Sequence, residues 1–127
     1  MRSTPFLLVF LFTAVACGAP AAGVRDISAD DLLAGPPEGA VILDVRTPQE
    51  FAAGHVPGAV NIPHDQLASR LGEIGAAKDA PVVVYCESGG RASVAASVLQ
   101  GAGYRDIRHL AGDMRAWRAD GLPQEMP

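Results

Sequence analysis

Among the nucleophilic side chains of this sequence, Cys86 stands where chemistry is easiest to arrange. It follows the apolar run Pro81-Val82-Val83-Val84-Tyr85 and precedes Glu87-Ser88-Gly89-Gly90-Arg91-Ala92-Ser93. A continuous apolar run of this kind predicts a central parallel strand covered on both faces. Arg91 opens a stretch to about Gln100 that reads as a helix, with Val94, Ala95, Val98 and Leu99 on one face. A strand therefore delivers the cysteine, and a helix begins five or six residues later. Two adjacent glycines allow tight backbone geometry between them. Such a loop can turn several N–H groups inward and form an anion-binding nest. The helix N-terminus adds partial positive charge, and Arg91 adds a fixed one. Both favour thiolate over thiol, and the thiolate is the nucleophile. The plainer alternative is a buried, inert cysteine.

Other residue types invite chemistry less strongly. His55 and His64 are not spaced as a helical ligand pair, which argues against a metal or general-base role. Asp44 and Arg46 lie near the end of the apolar segment Val41-Ile42-Leu43-Asp44-Val45 and are expected to form a supporting ion pair beneath the loop. Trp117 reads as core, and Ser88 and Ser93 read as loop and helix-cap groups.

The elements that must position these residues alternate along the chain. Ser28-Ala29-Asp30-Asp31 predicts a helix start with acidic residues in its first turn. Residues 41–45 predict a strand. Thr47, Pro48 and Glu50 follow as cap, first helical residue and closing carboxylate of a capping box. Residues 59–62 predict another strand, and residues 65–71 a helix. Gly101 and Gly103 end the helix after the cysteine loop. Residues 107–110 predict a further strand, and residues 113–119 a last short helix. Strand and helix alternating in this way imply an α/β fold with a mostly parallel sheet. Ligands in such sheets bind beyond the carboxyl ends of the strands, where Cys86 sits.

Length, charge and cysteine count bound the rest. The chain has 127 residues, enough for one domain and a short appendage. Its formal net charge is −4 and its ten Lys and Arg are scattered, so nucleic acid is not an expected partner. Arg2 is followed by an uncharged apolar run over residues 6–16, too short for the about 20 residues that span a bilayer but long enough for a secretory signal. Ala14-Val15-Ala16 fits a signal-peptide cleavage site, and Ala14-Val15-Ala16-Cys17 resembles the lipobox of bacterial lipoproteins. The expected organisation is a signal over residues 1–16, a tether over 17–23 and one domain over 24–127. Cys17 is the expected lipidation site, with a plain periplasmic or secreted form as the alternative. Cys17 and Cys86 are the two cysteines of the chain. Lipidation of the first leaves Cys86 a lone thiol on the exported side.

From residue 24 to residue 123 the sequence resembles the single-domain rhodaneses. Leu43-Asp44-Val45-Arg46 with Pro48, Glu50 and Phe51 resembles one family block, and Gly54-His55-Val56-Pro57-Gly58-Ala59-Val60-Asn61-Ile62-Pro63 resembles the next. The cysteine loop resembles the family's active loop. Leu110-Ala111-Gly112-Asp113-Met114-Arg115-Ala116-Trp117 resembles the last block, except that Asp113 stands where the family usually has a second glycine.

The resemblance implies a five-stranded, mostly parallel sheet with helices on both faces. It implies a sulfurtransferase in which the Cys86 thiolate takes the outer sulfur of a donor such as thiosulfate. The resulting persulfide passes its sulfur to cyanide or a thiol, a protein thiol among them. Glu87, Ser88, Gly89, Gly90, Arg91 and Ala92 would hold the persulfide and the donor anion, and no metal or organic cofactor is implied. Glu87 is the awkward member, because many members of the family that use thiosulfate well carry a basic side chain in this loop. A unit charge at about 6 Å and an effective dielectric of 20 contributes about 3 kcal/mol, so Glu87 is expected to offset much of the help from Arg91. Two other readings compete. One is a non-catalytic module of the same fold that recruits a partner at the membrane. The other is a cysteine phosphatase or arsenate reductase, whose loops place five residues between Cys and Arg where this chain has four.

Overall fold

The structure, a computed structural model, describes residues 23–127. The expected signal, Cys17 and all of the tether but Gly23 lie outside the described residues. Five strands form one sheet: β1 (Arg25–Ile27), β2 (Val41–Asp44), β3 (Val60–Asn61), β4 (Pro81–Tyr85) and β5 (Asp106–Leu110). Their order is β1-β5-β4-β2-β3, and every neighbouring pair is parallel. The most apolar strand, β4, lies at the centre, in register with β2 (Val84 beside Leu43, Tyr85 beside Asp44) and with β5.

Side chains alternate across this sheet with the period of two that a strand imposes. Leu43, Val82, Val84 and Cys86 join one core cluster with Ala92, Ala95, Ala96 and Leu99. Ile42, Val83 and Tyr85 join the other with Leu32, Met114 and Trp117. Helix α3 (Gly90–Gly101) thus covers the first face, and α1 (Ala29–Ala34) and α4 (Asp113–Ala119) supply the second. The face expected for α3 holds at Ala95 and Leu99 and is corrected at Val94. Val94 is half exposed and Val98 only partly buried, while the buried positions are Ala92, Ala95, Ala96 and Leu99. The three alanines let the helix approach β4 closely beside Leu99, Val98 packs at the edge of the same cluster, and Val94 alone of the expected face turns outward.

Local signals give the expected starts. The Ser28 side chain accepts from the Asp31 N–H at 3.0 Å and caps α1. Thr47 caps α2 (Pro48–Ala52) in a complete capping box with Glu50. The helix expected over residues 65–71 is instead two 3-10 turns, Leu67–Ser69 and Leu71–Glu73. Arg70, at φ −125°, leaves the helical region between them. Its i→i+3 bonds bury Leu67 and Ile74 without a helix long enough to propagate.

The C-terminal tail returns to the body of the domain. Trp117 Nε1 donates to the Pro123 carbonyl at 2.8 Å, and His55 and Glu125 exchange two backbone hydrogen bonds. Glu125 also accepts from the Gly58 N–H at 3.2 Å.

The outward turn of Val94 on α3 separates two truncations. Leu99→Ala, at a fully buried position, is expected to lower unfolding free energy by about 2–5 kcal/mol. Val94→Ala should change it by less than about 0.5 kcal/mol. Urea titrations of both variants check the order.

Candidate active site

Cys86 is the first residue past β4, and its side chain is 1% exposed beneath the loop that runs from Glu87 into α3. Ser88 and Gly90 are exposed, so the cover over the sulfur is one thin loop. The Gly89 N–H donates to Cys86 Sγ at 3.0 Å. Gly89 has φ +111°, and a Cβ there would lie 3.3 Å from Asp113 Oδ2. Only glycine holds that turn without strain. Gly89 has no side chain to cap α3, and the first bond of the helix joins the Ser93 N–H to the Gly89 carbonyl at 3.0 Å. The N–H groups of Gly90, Arg91 and Ala92 precede it and have no acceptor within the helix.

The loop rests on a buried polar network. Asp44 Oδ1 accepts from the Arg46 backbone N–H at 2.9 Å, and Asp44 Oδ2 accepts from Arg46 Nη2 at 2.7 Å. Arg46 Nη2 also donates to the Gly54 carbonyl at 2.8 Å. The Tyr85 hydroxyl donates to Asp44 Oδ2 at 2.7 Å and accepts from the Val56 N–H at 3.1 Å. Burial, and next the neighbouring Asp44 carboxylate, push the Tyr85 phenol up and keep it protonated. The ion pair expected of Asp44 and Arg46 is therefore present beneath the loop, and it reaches upward too, with Arg46 Nη1 3.6 Å from Glu87 Oε2.

Two expectations about loop charge need correction. Arg91 is not a free cation facing the sulfur, because its fork grips Glu50 in a bidentate pair at 2.6 and 2.9 Å. Glu87 is not a free anion either. Its carboxylate pairs with Arg118 of α4 and lies beside Arg46. An opposite charge at contact distance weakens the field that each exerts at the sulfur. Glu87, Arg46 and Arg118 instead line a cleft of about 310 Å³ with Glu50, Gly54 and Gln124.

Three participants were not read from the sequence. Arg118 and Glu50 pair with loop residues 31 and 41 positions away. Asp113, buried and at φ 54°, accepts from the Cys86 N–H through Oδ1 at 3.0 Å. Its place in a position usually held by glycine was the available signal. Met114 and Arg115 add backbone bonds to the carbonyls of Cys86 and Glu87. The turn before Asp113 is held by Gly112, at φ +80° and packed so closely on Ala116 that a Cβ would lie 2.5 Å from the alanine methyl. His55 stacks on Phe51 with its ring centroid 3.6 Å away, and Nδ1 lies 2.9 Å from the Phe51 carbonyl. His64 donates its backbone N–H to Val45. Among the described residues no cluster of His, Cys, Asp and Glu could hold a metal ion.

A parallel α/β sheet that presents a cysteine loop at the carboxyl end of its central strand defines a class, and comparison with known proteins agrees with it. Residues 28–120 match the rhodanese-like domain, and the chain belongs to that family. It is 39% identical over 90 residues to a protein of Allochromatium vinosum named a sulfurtransferase, a match covering 71% of this chain and 82% of that protein. It is 40% identical over 82 residues to the thiosulfate sulfurtransferase GlpE of Pseudomonas putida, covering 65% and 73%. The Alr3790 protein of Anabaena sp. superposes with a TM-score of 0.71 at 30% identity, covering 80% of this chain and 82% of that one. A rhodanese-related protein of Thermoplasma volcanium does so with a TM-score of 0.69 at 27% identity, covering 81% and 99%. The fold is the rhodanese-like fold, with an all-parallel five-stranded sheet.

The Glu50–Arg91 pair carries a pH signature. Hydrogen bonding to Arg91 is the largest cause that lowers the Glu50 carboxyl from 4.5 to about 2. A carboxylate with a depressed folded value stabilises the fold in full above its unfolded value, and that contribution is lost as pH falls through the folded one. Glu50→Gln is therefore expected to cost about 1 kcal/mol near neutral pH. The difference from the parent should shrink as pH drops from about 5 toward about 2, which urea unfolding at stepped pH measures.

Proposed function

We propose that this chain transfers sulfane sulfur through a persulfide on Cys86. The observation that carries the reading is the Gly89 N–H aimed at Cys86 Sγ at 3.0 Å, next to a helix N-terminus whose first N–H groups have no intrahelical acceptor. The names of the related sulfurtransferases support it. The Cys86 thiolate attacks the outer sulfur of thiosulfate, the S–S bond of the donor breaks, and sulfite leaves with the bonding electron pair. Cys86 then holds a persulfide anion. Cyanide or a thiolate attacks the terminal sulfur, leaves as thiocyanate or as a new persulfide, and returns the thiolate. Backbone N–H groups of residues 87–92 bind the anions, since the side-chain charges of Glu87 and Arg91 are already paired. That pairing also disfavours phosphoryl chemistry, because the guanidinium fork that would grip a phosphate is held by Glu50.

The sulfur step is tested on the whole protein by mass. Thiosulfate should add about 32 Da to the peptide containing Cys86, and cyanide should remove it. Cys86→Ser should lose turnover by at least about a thousandfold. Full turnover by Cys86→Ser would falsify the assignment.

We also propose that the domain works on the exported side of a bacterial membrane, held by lipid on Cys17. The reading rests on Arg2, the apolar run and Ala14-Val15-Ala16-Cys17. Two or more acyl chains hold a protein firmly where one does not. Cys17→Ala should therefore move the protein from the membrane fraction to the soluble exported fraction. An unmodified Cys17 at a mature N-terminus, or an uncleaved cytoplasmic chain, overturns this placement.

A further inference from the structure

Asp113 does three things that a glycine in its place could not. Its Oδ1 accepts from the Cys86 backbone N–H at 3.0 Å. Its two oxygens lie 2.9 and 3.0 Å from His109 Nε2. Its Oδ2 sits against the Gly89 backbone, where a Cβ would be 3.3 Å away. One carboxylate, 3% exposed, thus joins the residue after β4, the loop and β5. It adopts φ 54°, uncommon outside glycine but tolerated by aspartate. We propose that Asp113 and His109 are a positioning pair that holds Cys86 in place and sets its reactivity according to the charge on His109. The proposal rests on the persulfide reading for its purpose, not for its measurement.

The electrostatics follow from the contacts. A carboxylate accepts only, so His109 Nε2 carries the hydrogen that lies between them. Nδ1 faces outward, 3.6 Å from Asp26 Oδ1 of β1. From β5 itself, Arg108 is engaged by Asp106, as is Arg25 of β1. From the loop Gly89 contributes no charge, and α3 turns Ser93 and Ser97 toward the cavity that His109 lines. Among the described residues, the charged groups set against the ring are therefore two carboxylates, Asp26 and Asp113. When His109 is an imidazolium, it neutralises Asp113 beside the cysteine. When His109 is neutral, Asp113 places an unshielded negative charge against the Cys86 backbone. That charge opposes both an anionic sulfur and an approaching anionic donor. Histidine is the side chain that changes charge between pH 5 and 8. Loss of the imidazolium works against the thiolate, because the carboxylate it neutralised then opposes a negative sulfur.

The probe is iodoacetamide, an uncharged electrophile whose rate at Cys86 reads the thiolate whether or not sulfur is transferred. Rates are followed from pH 5 to 9 on the full chain, by mass of the Cys86 peptide, beside kcat/KM for thiosulfate. The parent should show two steps. Asp113→Asn keeps an acceptor for the Cys86 N–H and removes the charge. It should alkylate about threefold to tenfold faster at pH 8 and show one step. His109→Gln, at a partly exposed position, keeps Asp113 without its counter-cation. It should alkylate more slowly than the parent below pH 7, again in one step. Asp113→Ala removes the acceptor as well and should lower kcat at every pH. Parent-like pH profiles in both Asp113→Asn and His109→Gln overturn the proposal. Intact coupling in alkylation with no persulfide from any donor would leave the pair standing and remove the sulfurtransferase reading instead.

Discussion

The buried ion pair of Asp44 and Arg46 is the constraint on which the rest of this domain depends. Removing both charges from water costs several kcal/mol per ion, and attraction offsets that only where the remaining donors and acceptors are used. Here they are used by residues from every side. Tyr85 brings β4 to the carboxylate, and Gly54 brings the turn after α2 to the guanidinium. Asn61 of β3 donates to the carbonyls of both Asp44 and Arg46 at 3.0 Å. The strands can take one relative position that satisfies all of these groups, and the loop after β4 is set upon that position. Arg46 then meets Glu87 across the floor of the loop. A hydrophobic pair of equal volume could fill the same space, but it would not demand this arrangement.

Above that floor, charge is arranged in short-range pairs. Arg91 is with Glu50, Glu87 with Arg118 and Arg46, and Asp113 with His109. Apart from Asp113 and His109, the field near the sulfur comes mainly from backbone dipoles: the Gly89 N–H and the first turn of α3. Such dipoles are fixed by the fold and need no reorganisation when an anion arrives. Side-chain charge in this loop acts more on shape and on the neighbouring cleft than on the sulfur.

Much of the fold could be read along the sequence because its signals are local. Ser28 caps a residue three positions on, and Thr47 and Glu50 close a box of the same span. The apolar run of β4 marks the central strand because both of its faces are covered. The place of Cys86 directly after that strand is legible for the same reason. The exposure of Val94 on α3 is not legible, because valine is a hydrophobic residue, whereas close approach of helix to sheet selects alanine. The loop's partners were illegible for a different reason. Asp113 meets Cys86 across 27 residues, Arg118 meets Glu87 across 31, and Glu50 meets Arg91 across 41. Sequence spacing carries no record of such meetings. The charges of Glu87 and Arg91 are visible in the sequence, while the ion pairs that hold them are not.

The returning tail gives the two ends of the domain unequal standing. Residues 123–125 are stitched to Trp117, His55 and Gly58, and Gln124 forms part of the wall of the cleft beside Glu87. Among the described residues, the start of β1 lies instead on an edge strand of three residues paired on one side. Protein engineers would find the two ends different to handle. A fusion joined after Pro127 leaves the stitch whole, whereas a chain cut after Leu122 takes away a wall of the cleft along with the last residues. The tail is thus a component of the site's architecture, made of residues that contribute no reactive group.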